Sequence, residues 1–265
     1  MNIENVKPAK EKLDPMVLRV AIILVVGALA PLFDTTMVNV AIHTIAIEMK
    51  AAISAVQWIT TGYVLAMGLT VPISGWATKR FGCKHSYIFS VTIFLAGSVL
   101  AMLSWNIQSL ISFAVIQGIG TGLLMPTLQT ELVQVSGGRN LGRIMSIVSV
   151  PALLGPILGP VLGGVIVNSL SWRAIFFVNI PICIIAIPLA LWGIPADKHL
   201  EKKASLDVMG MLLLSPAFAL LIYGIAQVAS YGGLSSSTVY VPLIIGMVLM
   251  ASYVVYALKT KREPL

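Results

Sequence analysis

Two carboxylates stand inside otherwise apolar runs: Asp34 in VVGALAPLFDTTMVNVAI and Glu131 in GTGLLMPTLQTELVQV. Ionisable groups at membrane depth are costly and mark functional sites by default. Asp34 lies 15 residues beyond Arg19, roughly 22 Å up a helix, which places it well inside the hydrocarbon layer. Glu131 precedes Arg139 by eight residues, roughly 12 Å, and reaches either the hydrocarbon or the interface. Hydrocarbon disfavours the charged carboxylate, so such a group exchanges its proton as its access to water changes. A cationic ligand arriving beside it favours the charged form and expels the proton, which gives exchange from a single side chain. The competing reading for Asp34 is a structural hydrogen bond through Asn39 or Thr36, and for Glu131 an ion pair with Arg139 or Arg143.

Glycine and proline carry a second signal. The stretch Gly155, Pro156, Gly159, Pro160, Gly163, Gly164 overlays two small-xxx-small patterns, which let another backbone approach, on prolines that each remove an internal hydrogen bond. A third signal is the turn from Gly75 to Lys84, with Lys79, Arg80 and Gly82 between. Gly75 permits close packing at a helix end, Gly82 supplies a positive φ, and the cations complement carbonyl ends. The plainer reading of that turn is topological charge alone.

These residues need a membrane to matter, and composition supplies one. Of 265 residues 58% are apolar and 10% charged, with a mean hydropathy of +0.95, whereas soluble domains are about a quarter charged. Soluble enzymes, disordered chains and disulfide scaffolds are thereby excluded. The net charge of +7 is spread over short clusters and does not form the basic face that nucleic acid requires. A membrane helix needs roughly 20 apolar residues to cross ~30 Å of hydrocarbon. Eight such runs occur: Val17 to Ala41, Val56 to Thr78, Ser86 to Ser104, Ile107 to Val135, Ile144 to Val167, Ile175 to Trp192, Met209 to Val228 and Tyr240 to Leu258. The first is not a cleaved leader, because Pro31 follows Ala28, Leu29 and Ala30 directly and the apolar run continues past it.

With eight spans, all of the 17 Lys and Arg residues except Lys50 and Arg173 fall on one side of the membrane. The positive-inside rule makes that side, and both termini, cytoplasmic. The links at Ser104 to Asn106 and Ala229 to Thr238 carry no charge. Cys83, in a cytoplasmic turn, and Cys183, in the sixth span, are expected to stay reduced and apart. Met209, Met211, Met247 and Met250 read as packing or lipid-facing residues.

In this order the segments resemble the major facilitator superfamily, and within it the fourteen-helix drug:proton antiporter branch of the EmrB/QacA type. Phe33 to Ile42, with Asp34 and Asn39, looks like the first-helix motif of that branch. Gly75 to Lys84 is similar to the superfamily loop motif. Leu110 to Gly122, with Gln117, Gly118 and Gly120, resembles the fourth-helix motif. Gly155 to Gly164 resembles the fifth-helix antiporter motif, and Trp172 to Pro181 the outer turn into helix six. Three positions depart from the pattern: Lys79 replaces the usual Asp, Ala114 an Arg implicated in proton coupling, and His43 a Pro. His43 is read as interfacial at the outer end of the first helix.

The resemblance implies an all-α polytopic fold. It comprises a cytoplasmic tail over 1–16, a six-helix bundle over 17–192, a cytoplasmic linker over 193–208, an additional helix pair over 209–258 and a cytoplasmic end over 259–265. It implies export of lipophilic or cationic compounds driven by the proton gradient, without a cofactor, a metal or a catalytic residue. Asp34, Asn39, Gln117 and Glu131 are then the candidates for proton coupling or substrate contact. Transport in this superfamily uses two bundles, and the second is absent from the chain. The expected reading is therefore a truncated or split copy in a cell (inner or plasma) membrane, partnered by lipid, by small substrates and by a separately encoded C-terminal half or a second copy. The alternative is a carrier of a nutrient or metabolite; a membrane-embedded enzyme finds no HExxH, CxxC or clustered His/Asp set to support it.

Overall fold

Long apolar stretches that cannot leave backbone groups unpaired in lipid become helices. The computed structural model describes residues 14–138, 140–197, 206–231, 233 and 236–260. They form α1 (Pro15–Glu48), the single turn α2 (Ile53–Val56), α3 (Trp58–Phe81), α4 (Cys83–Met102), α5 (Ile107–Ser136), α6 (Leu141–Ser169), α7 (Arg173–Gly193), α8 (Val208–Tyr231) and α9 (Ser237–Lys259). With α2 and α3 taken together, eight of these helical segments are long and apolar enough to cross a membrane, and no strand occurs among the described residues.

The helices run longer than the hydropathic spans. The first extends to Glu48 where the apolar run suggested Ala41, because Ile42 to Ile47 contains no breaker and the helix stops only where Lys50 takes φ 50°. Its start is fixed by Asp14, whose carboxylate accepts from the Met16 amide at 2.8 Å, and by Pro15 in the first turn. The uncharged link before α5 is specified locally. Asn106 Oδ1 accepts from the Ser109 amide at 2.7 Å while Ser109 Oγ accepts from the Asn106 amide at 3.2 Å, a reciprocal cap.

Two helices organise the first six spans. α1 packs on α6 and α7, and α5 packs on α3 and α4; the α4–α7 and α1–α5 contacts join the two sets. Glycines set the closeness of α5: a Cβ on Gly118 or Gly122 would run into the backbone carbonyls of Tyr63 and Met67 on α3, and one on Gly120 would come within 2.7 Å of Phe94 N on α4. α8 and α9 form a hairpin that leans on α3, where a Cβ on Gly68 would come within 3.1 Å of the Ala219 backbone.

The motif of α6 divides by face. Gly155, Gly159 and Gly163 are buried against Leu32, Thr36 and Met37 of α1, whereas Pro156 and Pro160 point outward and Gly164 meets nothing within 4 Å. The helix continues through Pro151, Pro156 and Pro160. Gly75 corrects an expectation. It is exposed, and a Cβ there would meet nothing within 4 Å, so within this bundle it serves no close approach. Gly82 does take the positive φ, at 89°.

Polar contacts separate the two ends of the bundle. At one end Trp172 Nε1 donates to Glu48 at 2.8 Å, and Arg173 lies 3.8 Å from the same carboxylate and donates to the Ser104 carbonyl at 3.2 Å. At the other, Lys84 Nζ donates to the carbonyls of Leu191 and Ile194 at 2.7 and 2.9 Å, and the Cys83 amide donates to Asp197 at 2.8 Å. Lys50 and Arg173 thus share one end and Arg19 and Lys84 the other. Lys7, Lys10, Lys12, Arg139, Lys198, Lys202, Lys203, Lys261 and Arg262 lie outside the described residues, as do most of the 1–16 tail, much of the 193–208 linker and most of the 259–265 end.

Candidate functional site

Asp34 sits near the middle of α1, on the face turned to α5 and α7, and is 3% exposed. Its Oδ1 accepts from Asn179 Nδ2 of α7 and, at 3.4 Å, from Gln117 Nε2 of α5. Gln117 Nε2 also donates to Ser98 Oγ of α4 at 2.8 Å, and Asn179 Nδ2 lies 3.4 Å from the same hydroxyl. Three helices therefore meet on one carboxylate through neutral amide donors, and Ser98 of α4 accepts from both amides. Among the described residues no basic side chain pairs with it. A buried carboxylate that is hydrogen-bonded but not neutralised depends on a proton or an incoming cation for charge balance.

Close packing holds this arrangement. Gly97 lets α4 approach so near α5 that a Cβ there would come within 2.8 Å of the Gln117 amide nitrogen. Beside the carboxylate, Tyr63 of α3 donates to Thr121 of α5 at 2.9 Å. A crevice lined by Asp34, Thr35, Ile59, Tyr63, Ala114 and Gln117 leaves about 10 Å³ of room, the space of about one water molecule. Ala114 stands in this lining, at the position where the related motif carries an arginine.

The structure joins Asp34 to Gln117 but not to Asn39 or Thr36. Asn39 is exposed and accepts from Thr60 at 3.4 Å, while the Thr36 hydroxyl is spent on the carbonyls of Phe33 and Gly155. The structural hydrogen bond expected through those two neighbours is replaced by bonds to α5 and α7, because α1 turns Asn39 away from the face that carries Asp34. Asn179 and Ser98, both fully buried, were the site residues that sequence reasoning missed. An asparagine in an apolar span was the available signal for the first; a serine in a helix carries none.

Glu131 occupies a separate place. It is 4% exposed, near the end of the bundle where α3 turns into α4. Its neighbours are the Cys83 thiol, the Asp197 carboxylate and the Lys84 ammonium. Its surroundings are thus not those expected for an ion pair with Arg143, and Arg139 is outside the described residues. Asp197 also packs on Gly82, where any Cβ would strike its carboxylate. Cys83 and Cys183 are both free and buried. Lys79 is exposed and Arg80 half-buried on the last turn of α3. His43 is exposed in the C-terminal part of α1.

Solved structures with a similar fold are membrane transporters. The chain is 36% identical over 255 residues to the multidrug resistance protein B homolog of Mycobacterium tuberculosis, covering 96% of this chain and 47% of that one. It is 27% identical to the lincomycin resistance protein LmrB of Bacillus subtilis, covering 97% of this chain and 53% of that protein. It thus spans about half the length of the curated relatives it matches. Among solved structures it superposes on a POT peptide transporter in complex with alafosfalin with a TM-score of 0.65 at 14% identity, covering 91% of this chain and 52% of that one. With the inward-open xylose transporter XylE from E. coli the TM-score is 0.59, also at 14% identity, covering 92% and 69%. Those two likenesses establish the fold, an all-α bundle whose eight long apolar helices suit a multi-pass membrane protein. The family profile matches residues 24–259, nearly the whole length over which these helices and their buried polar centre extend, and the chain belongs to the Major Facilitator Superfamily.

Proposed function

We propose that this transporter chain is the N-terminal portion of a drug:proton antiporter that exports lipophilic, often cationic compounds, with Asp34 as the group that exchanges a proton for the substrate. The observation that carries the reading is the Asp34 carboxylate held by two amides that share a serine, with no basic side chain among the described residues paired to it and a water-sized crevice beside it. Asn179 suits both protonation states. Its Nδ2 donates to the carboxylate, and its Oδ1, buried without a partner, becomes an acceptor for a protonated Asp34 once the amide turns over. The drug-resistance names of the relatives support the substrate class. In this reading the positive-inside side, with the 1–16 tail and the 259–265 end, faces the cytoplasm of a cell (inner or plasma) membrane.

Substrate passage takes a second bundle against the outward faces of α3 and α6, whether carried further along the same polypeptide, encoded separately or supplied by a second copy. The unfilled space at Gly75 and Gly164 and the exposed apolar face of α6 suit that partner.

The test is extrusion of a lipophilic cationic dye from everted membrane vesicles containing the chain with its second bundle, with proton flux followed in parallel. Asp34→Asn is expected to abolish both fluxes; dye movement that still collapses the proton gradient would remove Asp34 from the mechanism. Uptake of nutrients in the same vesicles separates export from the nutrient-carrier alternative.

A further inference from the structure

The Cys83 thiol, the Glu131 carboxylate and the Asp197 carboxylate each place a ligand atom within 4.8 Å of the other two. They come from three separate parts of the chain: the start of α4, the inner end of α5 and the segment after α7. Two carboxylates and a thiol crowded together in a buried place call for a cation. Lys84 is near Glu131 and directs two of its three ammonium hydrogens to the carbonyls of Leu191 and Ile194, so a single positive charge stands against the two carboxylates. A second observation points to a ligand. The Asp197 side chain is 8% exposed, and while its Oδ1 accepts from the Cys83 amide, its Oδ2 is buried with no hydrogen-bond partner among the described residues. His85 Nδ1 stands 3.9 Å from that oxygen, beyond hydrogen-bonding distance, on a side chain 71% exposed.

We propose that Cys83, Glu131 and Asp197 form a binding site for a borderline-soft divalent cation of the zinc class. One thiolate sulfur and two carboxylate oxygens are a donor set that Zn²⁺ accepts, with a water completing a tetrahedron. The Cys83 S–H releases its proton to solvent as the thiolate binds. The charges then balance: two carboxylates and a thiolate against a divalent ion and the Lys84 ammonium. A bound ion ties the α3–α4 turn and the end of α5 to the segment leaving α7, and so fixes one end of the bundle. The site is separate from the Asp34 centre and does not depend on what the chain transports.

The test uses the full chain purified in detergent and Cd²⁺ alone as the probe, because thiolate binding gives an ultraviolet charge-transfer band. One Cd²⁺ per chain with that band is expected in the natural protein and in Cys183→Ser, with Zn²⁺ competing for it. Cys83→Ser is expected to lose the band, and Asp197→Asn to weaken binding at least about tenfold, the scale set by losing even a supporting contact. Absence of the band in the natural protein, its survival in Cys83→Ser or unchanged affinity in Asp197→Asn overturns the proposal. A second readout covers a Cys83→Ser chain that does not fold: in Cys183→Ser, where Cys83 is the sole thiol, Zn²⁺ is expected to protect it from alkylation, and alkylation indifferent to Zn²⁺ overturns the site equally.

Discussion

The bundle treats the buried carboxylates Asp34 and Glu131 in opposite ways. Asp34 is surrounded by neutral donors, the amides of Asn179 and Gln117, while Glu131 is set beside a thiol and a second carboxylate. Amides lower the cost of burying the charge and leave it unneutralised, so the group stays open to exchange. Acidic neighbours raise that cost and favour a resident cation. The partners, more than the depth of burial, decide what a membrane carboxylate can do.

The largest effect expected breaks that comparison at its centre. Asp34→Asn preserves shape and both amide neighbours but removes the exchangeable proton, and coupled dye efflux should fall by at least about 100-fold, the scale of losing a proton-transfer group. Glu131→Gln should leave most of the efflux in place, because Glu131 lies outside the Asp34 network. Vesicle assays of the two variants side by side check this, and equal losses would erase the distinction between the sites.

Glycines allow each region to be damaged without touching the other. Gly97→Ala drives a methyl against the Gln117 backbone and should cost about 1–3 kcal/mol as overpacking, with efflux reduced and the Cys83 region intact. Gly82→Ala meets the Asp197 carboxylate from a backbone at φ 89°, ψ 159°. That region of conformational space is nearly exclusive to glycine, and the cost is again about 1–3 kcal/mol. Thermal unfolding in detergent, read with alkylation of Cys83, should show accelerated labelling for Gly82→Ala alone.

How much of this was readable from the sequence follows the range of the interactions. Eight spans follow from runs of about 20 apolar residues, a local property, and Asp34 is conspicuous because hydrocarbon tolerates few charges. Helix ends were less legible: Ile42 to Ile47 looked like loop only because the apolar run was judged long enough already. The partners of Asp34 could not be read at all. Asn179 lies 145 positions away, and nothing local tells which of several polar residues in other spans will face α1. Asn39, closer in sequence, was the natural guess, and the helical turn points it elsewhere. Cys83 looked inert because a lone thiol among lysines resembles ordinary turn chemistry; Asp197, which changes its meaning, arrives from the far side of α7.

A smaller effect is expected for Asn179→Ala. It removes one donor to Asp34 and leaves Gln117 in place, and hydrogen bonds between membrane helices are worth about 0.6–1.7 kcal/mol. Efflux should fall about 3- to 20-fold with coupling retained, since 1.4 kcal/mol is tenfold. Loss as complete as in Asp34→Asn, in the same vesicle assay, would make Asn179 itself part of the exchange.

The smallest effect belongs to the opposite end, where Arg173→Ala tests whether either centre depends on the corner around Glu48 and Trp172. Arg173 has three contacts there: the Glu48 carboxylate at 3.8 Å, the Ser104 carbonyl at 3.2 Å and the Trp172 ring with its centroid 4.2 Å away. Three contacts suggest a large contribution, but the Arg173 and Glu48 side chains are 41% and 46% exposed, and ion pairs of that kind contribute about 0–1 kcal/mol. Trp172 retains its own bond to Glu48, so the corner stays tied when the guanidinium is removed. Arg173→Ala should therefore lower unfolding stability by no more than about 1 kcal/mol and leave both dye efflux and Cys83 labelling unchanged. Because the corner connects α1, α4 and α7, a loss of efflux without loss of stability would mean that it moves with the Asp34 centre, and the two carboxylates would then have to be compared as parts of one moving device instead of two independent sites.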